Sequence, residues 1–263
     1  MSKIHVNGID LYYEQEGRGA PLVLISGYTT DLSAWTLIRQ ELAKHFQLFM
    51  FDNRGAGRSD SPDSPCTIDV MADDTRALIE ALRLHRPYIL GQSMGGAIAQ
   101  TLAFKYPEST GKLILANTFI RLREASAFSL RYFFKLRSQG MPLAETLEGS
   151  LPWLFSSAFL KNKAQTREFI QLVEKYPYLQ SLVGQKRQLE AILQFDSEPW
   201  FKKISVPTLI IEGGDDIICP ADSQRLAEGI LGARLVSFPN QAHMLPIEKP
   251  AEFVDAILSF LNS

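Results

Sequence analysis

Cysteine, histidine and long apolar runs are all scarce in this chain, and each scarcity removes a class of explanation. Two cysteines in 263 residues, Cys66 and Cys219, are too few for a disulfide framework and too far apart for a metal-binding motif. They are expected to be separate reduced thiols, as in a cytoplasmic protein. No uninterrupted apolar run approaches the ~20 residues of a membrane span. The segment Met1-Ser2-Lys3-Ile4-His5-Val6-Asn7 lacks the apolar stretch of a signal peptide. A cytoplasmic location away from membranes is therefore expected. A strong excess of one charge is also missing: a net charge of -2 gives no electrostatic case for nucleic acid or an anionic membrane as partner. Glycine-rich phosphate loops are absent. Gly17-Arg18-Gly19 has Leu22 where a dinucleotide fingerprint needs its last glycine, and Gly55-x-Gly57 has Asp60 there. With four histidines and no cluster at metal-ligand spacing, neither a cofactor nor a metal is expected. Composition leaves the oligomeric state open.

What is present is the alternation of an α/β protein. At 46% hydrophobic and 21% charged residues, a chain of this length buries one large core. Ile4 to Val6 and Ile9 to Glu14 flank Asn7-Gly8, a hairpin signal. Pro21 to Ile25 and Leu48 to Phe51 are continuous apolar runs, the pattern of strands buried on both faces. Trp35, Ile38, Leu42 and Phe46 recur between them at helical spacing and predict a helix. Helix is expected over 70–82 and 95–106, strand over 88–90 and 113–116. The alternation resumes with strands at 208–211 and 235–238 and helices at 223–230 and 251–261. A mostly parallel sheet with helices on both faces follows. Between Thr118 and Ser205 the strands stop, and helical spacing is broken at Gly140, Pro142, Pro152 and Pro177. The expected organisation is a core of residues 1–117 and 206–263 with a helical cap over 118–205.

Chemistry concentrates at Gly91-Gln92-Ser93-Met94-Gly95, a Gly-x-Ser-x-Gly run between the strand ending at Leu90 and the helix that follows. A serine at such a strand-to-helix turn is lifted clear of the sheet, and the Met94 amide then lies at a helix N-terminus, where an oxyanion is stabilised. A hydroxyl needs a base and the base an orienting group. Of the four histidines, His5 lies on the first strand, and His45 and His85 precede strands. His243 alone lies beyond the carboxyl end of a strand in the alternating part, where open parallel sheets gather reactive groups. The acidic loop Gly213-Gly214-Asp215-Asp216 lies between Ser93 and His243, giving the order Ser, Asp, His.

Over nearly its whole length the chain resembles the α/β-hydrolase superfamily. The resemblance rests on Gly91-x-Ser93-x-Gly95, Arg54-Gly55-x-Gly57-x-Ser59, Gly213-x-x-Asp216-x-x-x-Pro220, and Ala242-His243 ahead of Glu248-Lys249-Pro250. It implies an α/β-hydrolase fold and a catalytic triad of Ser93, Asp216 and His243. The family spacing selects Asp216 over Asp215, which is then a turn or capping aspartate. Relatives that take the acid from the strand before the cap would need one near Ala116, where Asn117 stands. The loop Ser26-Gly27-Tyr28 matches the His-Gly motif of many relatives, with Ser26 replacing the histidine. This places the second oxyanion amide at Tyr28, beside that of Met94, although Tyr28 could equally pack against the cap. Dehalogenases and epoxide hydrolases of this fold carry aspartate where Ser93 stands, and are excluded.

The implied reaction is cleavage of a small-molecule carboxylic ester or lactone through an acyl-serine. The Ile25-Ser26-Gly27 entry and the Leu151-Pro152-Trp153-Leu154-Phe155 segment resemble 3-oxoadipate enol-lactonases and small bacterial carboxylesterases. The same triad also serves hydrolases of carbon–carbon, amide and carbamate bonds and cofactor-free perhydrolases, and a hydrolase-derived receptor with slow turnover would look alike. In the cap, Phe128, Phe133, Phe134, Trp153, Phe155 and Phe159 are expected to divide between cap core and pocket wall. Arg121, Arg123, Arg131, Lys135 and Arg137 form a basic cluster, read as a solvated helix face with steering of an acidic substrate as the alternative.

Overall fold

The computed structural model describes residues 2–220 and 222–263. Its strands are β1 (Ser2–Val6), β2 (Ile9–Glu16), β3 (Ala20–Ile25), β4 (Phe46–Phe51), β5 (Tyr88–Gln92), β6 (Leu113–Ala116), β7 (Thr208–Gly213) and β8 (Arg234–Phe238). They form one sheet in the order β1-β2-β4-β3-β5-β6-β7-β8. β1 and β2 pair antiparallel through the Asn7-Gly8 turn, and β2 pairs antiparallel with β4. Every pairing from β4 to β8 is parallel. The helices are α1 (Arg39–Leu42), α2 (Ile68–Ala81), α3 (Met94–Lys105), α4 (Glu124–Ser138), α5 (Leu143–Leu154), α6 (Ser157–Lys161), α7 (Lys163–Glu174), α8 (Leu182–Gln194), α9 (Asp222–Gly229), α10 (Leu245–Glu248) and α11 (Pro250–Leu261). This is the α/β-hydrolase fold.

Strand residues alternate between two cores because successive side chains face opposite sides of a sheet. Val23, Ile25, Ile89 and Leu115 pack with Met71 and Ile79 of α2 and Ile98 and Leu102 of α3. Leu22, Leu24, Leu90 and Ile114 pack on the other face with Phe253 and Ile257 of α11. That two-sided burial is why β3 to β7 read as unbroken apolar runs. In place of the expected helix over 35–46, a 3-10 turn (Leu32–Trp35) ends at Trp35, irregular turns flank the four-residue α1, and Phe46 opens β4. Trp35, Ile38, Leu42 and Phe46 nevertheless share one buried cluster. Their spacing recorded a common buried face, which a chain of short turns satisfies as well as a helix does.

Between β6 and β7 come α4 to α8, with one isolated bridge, Arg121 to Asp196, as the strand-like pairing there. This insertion is fastened to the sheet side by polar contacts. Tyr176 donates to Asp31 Oδ2 at 2.6 Å, Gln188 Nε2 to the Arg54 carbonyl at 2.8 Å and Gln180 Nε2 to the Gly55 carbonyl at 2.8 Å. The start of α8 approaches the Gly55 loop so closely that a Cβ on Gly184 would lie 2.0 Å from the Gly55 carbonyl oxygen. Arg54 in turn grips the buried Asp74 with two bonds of 2.7 and 2.8 Å. The Arg54-Gly55-x-Gly57-x-Ser59 motif is thus the seat of the insertion. Among the described residues, no helix is long and apolar enough to cross a membrane.

Candidate active site

Ser93 stands between β5 and α3 with φ 56° and ψ -121°, a conformation that costs a side-chain-bearing residue energy unless its surroundings enforce it. They do. The Ser93 amide donates to the Ala116 carbonyl at 3.0 Å, and its carbonyl accepts from Thr118 Oγ1 at 2.8 Å and from the Gly96 amide at 2.9 Å. The flanking glycines are steric requirements: a Cβ on Gly91 would lie 2.2 Å from the Gly95 carbonyl oxygen, and one on Gly95 2.0 Å from that of Ile25. Helix α3 can start this close to the sheet because glycine stands at both of these positions.

His243 sits in the loop between β8 and α10, buried, with its backbone carbonyl accepting from Gln92 Nε2 at 3.0 Å. Its Nδ1 lies 2.8 Å from Asp216 Oδ2. Asp216 is buried just past β7, while Asp215 is exposed and bonds through its amide to the Gln241 carbonyl. The structure therefore brings Asp216, and not Asp215, to the histidine. Four donors saturate the Asp216 carboxylate. Oδ2 also accepts from Asn117 Nδ2 at 2.7 Å, and Oδ1 accepts the amides of Ile218 and Cys219 at 2.8 and 3.1 Å. Burial by itself would raise this carboxyl. The adjacent His243 ring and these hydrogen bonds outweigh burial and hold it below the ordinary carboxylate range. The same bonds fix the imidazole with Nδ1 as donor, leaving Nε2 as the acceptor.

Asn117 and Gln92 are the two residues here that sequence reasoning missed as positioning groups. Asn117, with φ 44°, closes the strand position from which an acid would come, yet its amide holds the acid supplied by β7. The available signal was an asparagine at a strand end, a residue that tolerates the left-handed region.

Cys219 also lies close. Its sulfur, the Asp216 carboxylate and the His243 ring fall within 4.8 Å of one another, a grouping that sequence spacing did not predict. The chemistry fits a hydrogen-bonded network better than a metal site, since both carboxylate oxygens are committed to N–H donors. Burial moreover pushes the Cys219 thiol up, away from the thiolate a metal would need.

Ser93, His243, Gln92, Gly27 and Tyr28 all face one cavity of about 230 Å³ between the sheet and the insertion. The Gly27 backbone runs against Ser93, whose Cβ would be 3.3 Å from a Cβ at position 27. Among the described residues, no hydrogen bond joins the Ser93 hydroxyl to the His243 ring, a contact that commonly tightens only when substrate binds. Among the described residues, neither the Tyr28 nor the Met94 amide takes part in the backbone hydrogen bonds outside regular elements. Tyr28 lines the cavity and also packs on the core, so both readings of it hold.

The insertion supplies the remaining wall, and its aromatics divide cleanly. Phe133, Phe134 and Trp153 line the cavity, Phe155 and Phe159 stack on each other at 4.0 Å beneath it, and Phe128 is 72% exposed. The basic cluster divides too. Arg121, Arg123, Arg131 and Lys135 are exposed, whereas Arg137 is half-buried and lines the cavity.

Comparison with known proteins places the fold in a family. A family model for the alpha/beta hydrolase fold matches residues 20–250. The chain is 30% identical over 260 residues to a Mycobacterium tuberculosis H37Rv protein named, provisionally, non-heme bromoperoxidase BpoC, covering 97% of this chain and 98% of that one. It is 31% identical over 253 residues to 3-oxoadipate enol-lactonase 2 of Acinetobacter baylyi, covering 92% of this chain and 89% of the relative. The crystal structure of the enol-lactonase from Burkholderia xenovorans LB400 superposes with a TM-score of 0.89 at 28% identity, covering all of both chains.

Proposed function

This chain belongs to the alpha/beta hydrolase family, and from that premise we propose that it is a serine hydrolase cleaving a small-molecule carboxylic ester or lactone through an acyl-Ser93 intermediate. The observation that carries this reading is the pairing of His243 with a saturated, charged Asp216 in the cavity that also receives the strained Ser93. Ser93 Oγ attacks the carbonyl carbon while His243 Nε2 takes its proton. Asp216 keeps the ring in the required tautomer and stabilises the imidazolium. The oxyanion of the tetrahedral intermediate is held by the Met94 and Tyr28 amides, where the α3 N-terminus adds its positive end. His243 then protonates the leaving alkoxide, and a water activated by the same ring releases the acid. No cofactor takes part. Residues 1–117 and 206–263 form the catalytic core, residues 118–205 form the cap that selects the substrate, and the protein works in the cytoplasm.

The test is a pre-steady-state experiment with a slowly hydrolysed aryl ester. A burst of phenol equal to the enzyme concentration is expected, with loss of the burst and a fall in turnover on the order of 10⁶ in Ser93→Ala. Wild-type-like turnover by that variant would overturn the reading.

The likeness to a protein named a bromoperoxidase favours a second reading. Hydrogen peroxide in place of water would take the acyl group from Ser93 and leave as a peracid, which oxidises bromide. Bromination that needs both a carboxylic acid and Ser93 would support it.

A further inference from the structure

The charge distribution of the cavity bears on the substrate that the acyl-Ser93 reading leaves open. Among the described residues lining it there is no aspartate, glutamate or lysine, and the one permanent charge is Arg137. The Arg137 Nη1 donates to the Met141 carbonyl at 2.8 Å, while its Nε is buried without a partner. Among the described residues no acidic side chain pairs with this guanidinium, so an anion entering the cavity would meet a positive charge that nothing else compensates.

Position along α4 sets where that anion would lie. Ser126, Ser129, Leu130, Phe133, Phe134 and Arg137 form a single stripe of the helix facing the cavity. At its first turn Ser126 Oγ donates to the Ile218 carbonyl at 2.8 Å, and the Ile218 amide bonds Asp216. One end of the stripe therefore stands at the catalytic acid. Arg137 begins eleven residues further on, about 16 Å along the helix axis. Between them the wall is dominated by Leu130, Phe133, Phe134, Leu147 and Trp153.

We infer that the substrate is anionic: its acyl part carries a carboxylate, or a group of like charge, at the end remote from the scissile carbonyl, across an apolar spacer, and Arg137 holds it. A guanidinium suits this role because its fork binds a carboxylate through two parallel hydrogen bonds. Arg137 is then the specificity-determining residue, and the other members of the basic cluster serve as a solvated surface. The inference rests on the acyl-Ser93 reading only for which end of the ligand faces the serine.

The test is a binding measurement in the Ser93→Ala background, so that no turnover intervenes. Monoethyl suberate and its primary amide have the same shape and differ in charge. Titration calorimetry should show the acid binding at least ~10-fold more tightly than the amide. In Ser93→Ala/Arg137→Met that advantage should vanish, and in Ser93→Ala/Arg137→Lys it should fall several-fold, because the charge remains while the fork is lost. Equal binding of acid and amide in the Ser93→Ala background overturns the inference. So does an advantage that survives both Arg137 substitutions, which would put the carboxylate at the Tyr28 and Met94 amides. If Arg137→Met does not fold, the lysine variant decides, an undiminished advantage counting against. Failure of the parent reading shows itself separately, as hydrolysis of these esters by Ser93→Ala in the titration cell, which product analysis detects; with the esters intact, the outcomes above bear on Arg137 alone.

Discussion

Helix α3, behind Ser93, buries ten of its twelve residues, whereas α7 in the insertion buries none. The contrast extends to the regions around them. The sheet side contributes most of both large cores, with Leu22 to Ile25 fully inaccessible, and the insertion adds residues such as Ala127, Ala191, Ile192 and Phe195 to the edge of one of them. The insertion spans a third of the chain yet, among the described residues, holds seven of the ten exposed large hydrophobic side chains, including Phe128, Leu172 and Tyr178. Its own buried cluster is small, built on Leu151, Phe155 and Phe159. Atoms that must meet a reacting carbonyl need a surrounding that holds them within fractions of an ångström, and close packing provides it. A wall that only has to accommodate part of a substrate tolerates looser packing, and loosely packed elements open at lower free energy.

The sharpest way to break this comparison is at the acid. Asp216→Asn keeps the size of the side chain but reverses one hydrogen bond, so His243 is held in the wrong tautomer, and kcat should fall by about 10⁴. Asp215→Asn alters an exposed group and should stay within about twofold of wild type. Steady-state kinetics on one aryl ester checks both, and a larger loss for Asp215→Asn would refute the assignment. Asn117→Ala should fall between them. It removes one charge-assisted bond to the carboxylate, worth ~1.5–3 kcal/mol, or roughly 10- to 100-fold in kcat. Activity should recover in part in Asn117→Ser, whose hydroxyl remains a donor.

On the insertion side, substitutions should change selection before they change chemistry. Trp153→Ala enlarges the cavity wall and should shift the ratio of kcat/KM between butyryl and octanoyl esters, at ~1–3 kcal/mol per discriminated methylene. Phe159→Ala lies beneath the wall, in the stack with Phe155, and should lower the melting temperature while leaving that ratio close to wild type. Equal losses on all esters for Trp153→Ala would show that this part of the insertion supports catalytic geometry.

The smallest effect is one of pH on stability. The folded Asp216 carboxyl is held below its ordinary value because His243 and the other N–H donors on it outweigh burial. Its contribution is therefore complete above the unfolded-state value of about 3.9 and is lost as pH falls through the folded value. The difference in melting temperature between wild type and Asp216→Asn should narrow below about pH 4. A difference constant from pH 6 to pH 2.5 would contradict this.

Legibility in the sequence followed the same division. Strand runs such as Pro21 to Ile25, and the glycines flanking Ser93, are local signals, because two-sided burial and a strained turn each dictate nearby residue types. Asp216 and His243 could be named from loop position and resemblance. The contacts made by Asn117 and Gln92 were not legible, because a hydrogen bond between residues 99 positions apart has no local trace. Nor did spacing separate Phe133 and Trp153, on the cavity wall, from Phe155 and Phe159 beneath it. Periodicity reports that a face is buried, not what it is buried against. For the same reason Arg137 looked like the rest of its basic cluster.

The central claim is that Ser93, held on the rigid side, becomes acylated while the insertion only shapes what reaches it. The direct test is inactivation by an aryl alkylphosphonate followed by peptide mass spectrometry. The account predicts one phosphonyl group per chain, carried on the peptide containing Ser93, with esterase activity lost in proportion to labelling. Complete inactivation with the label elsewhere, or full labelling of Ser93 with activity retained, would contradict it.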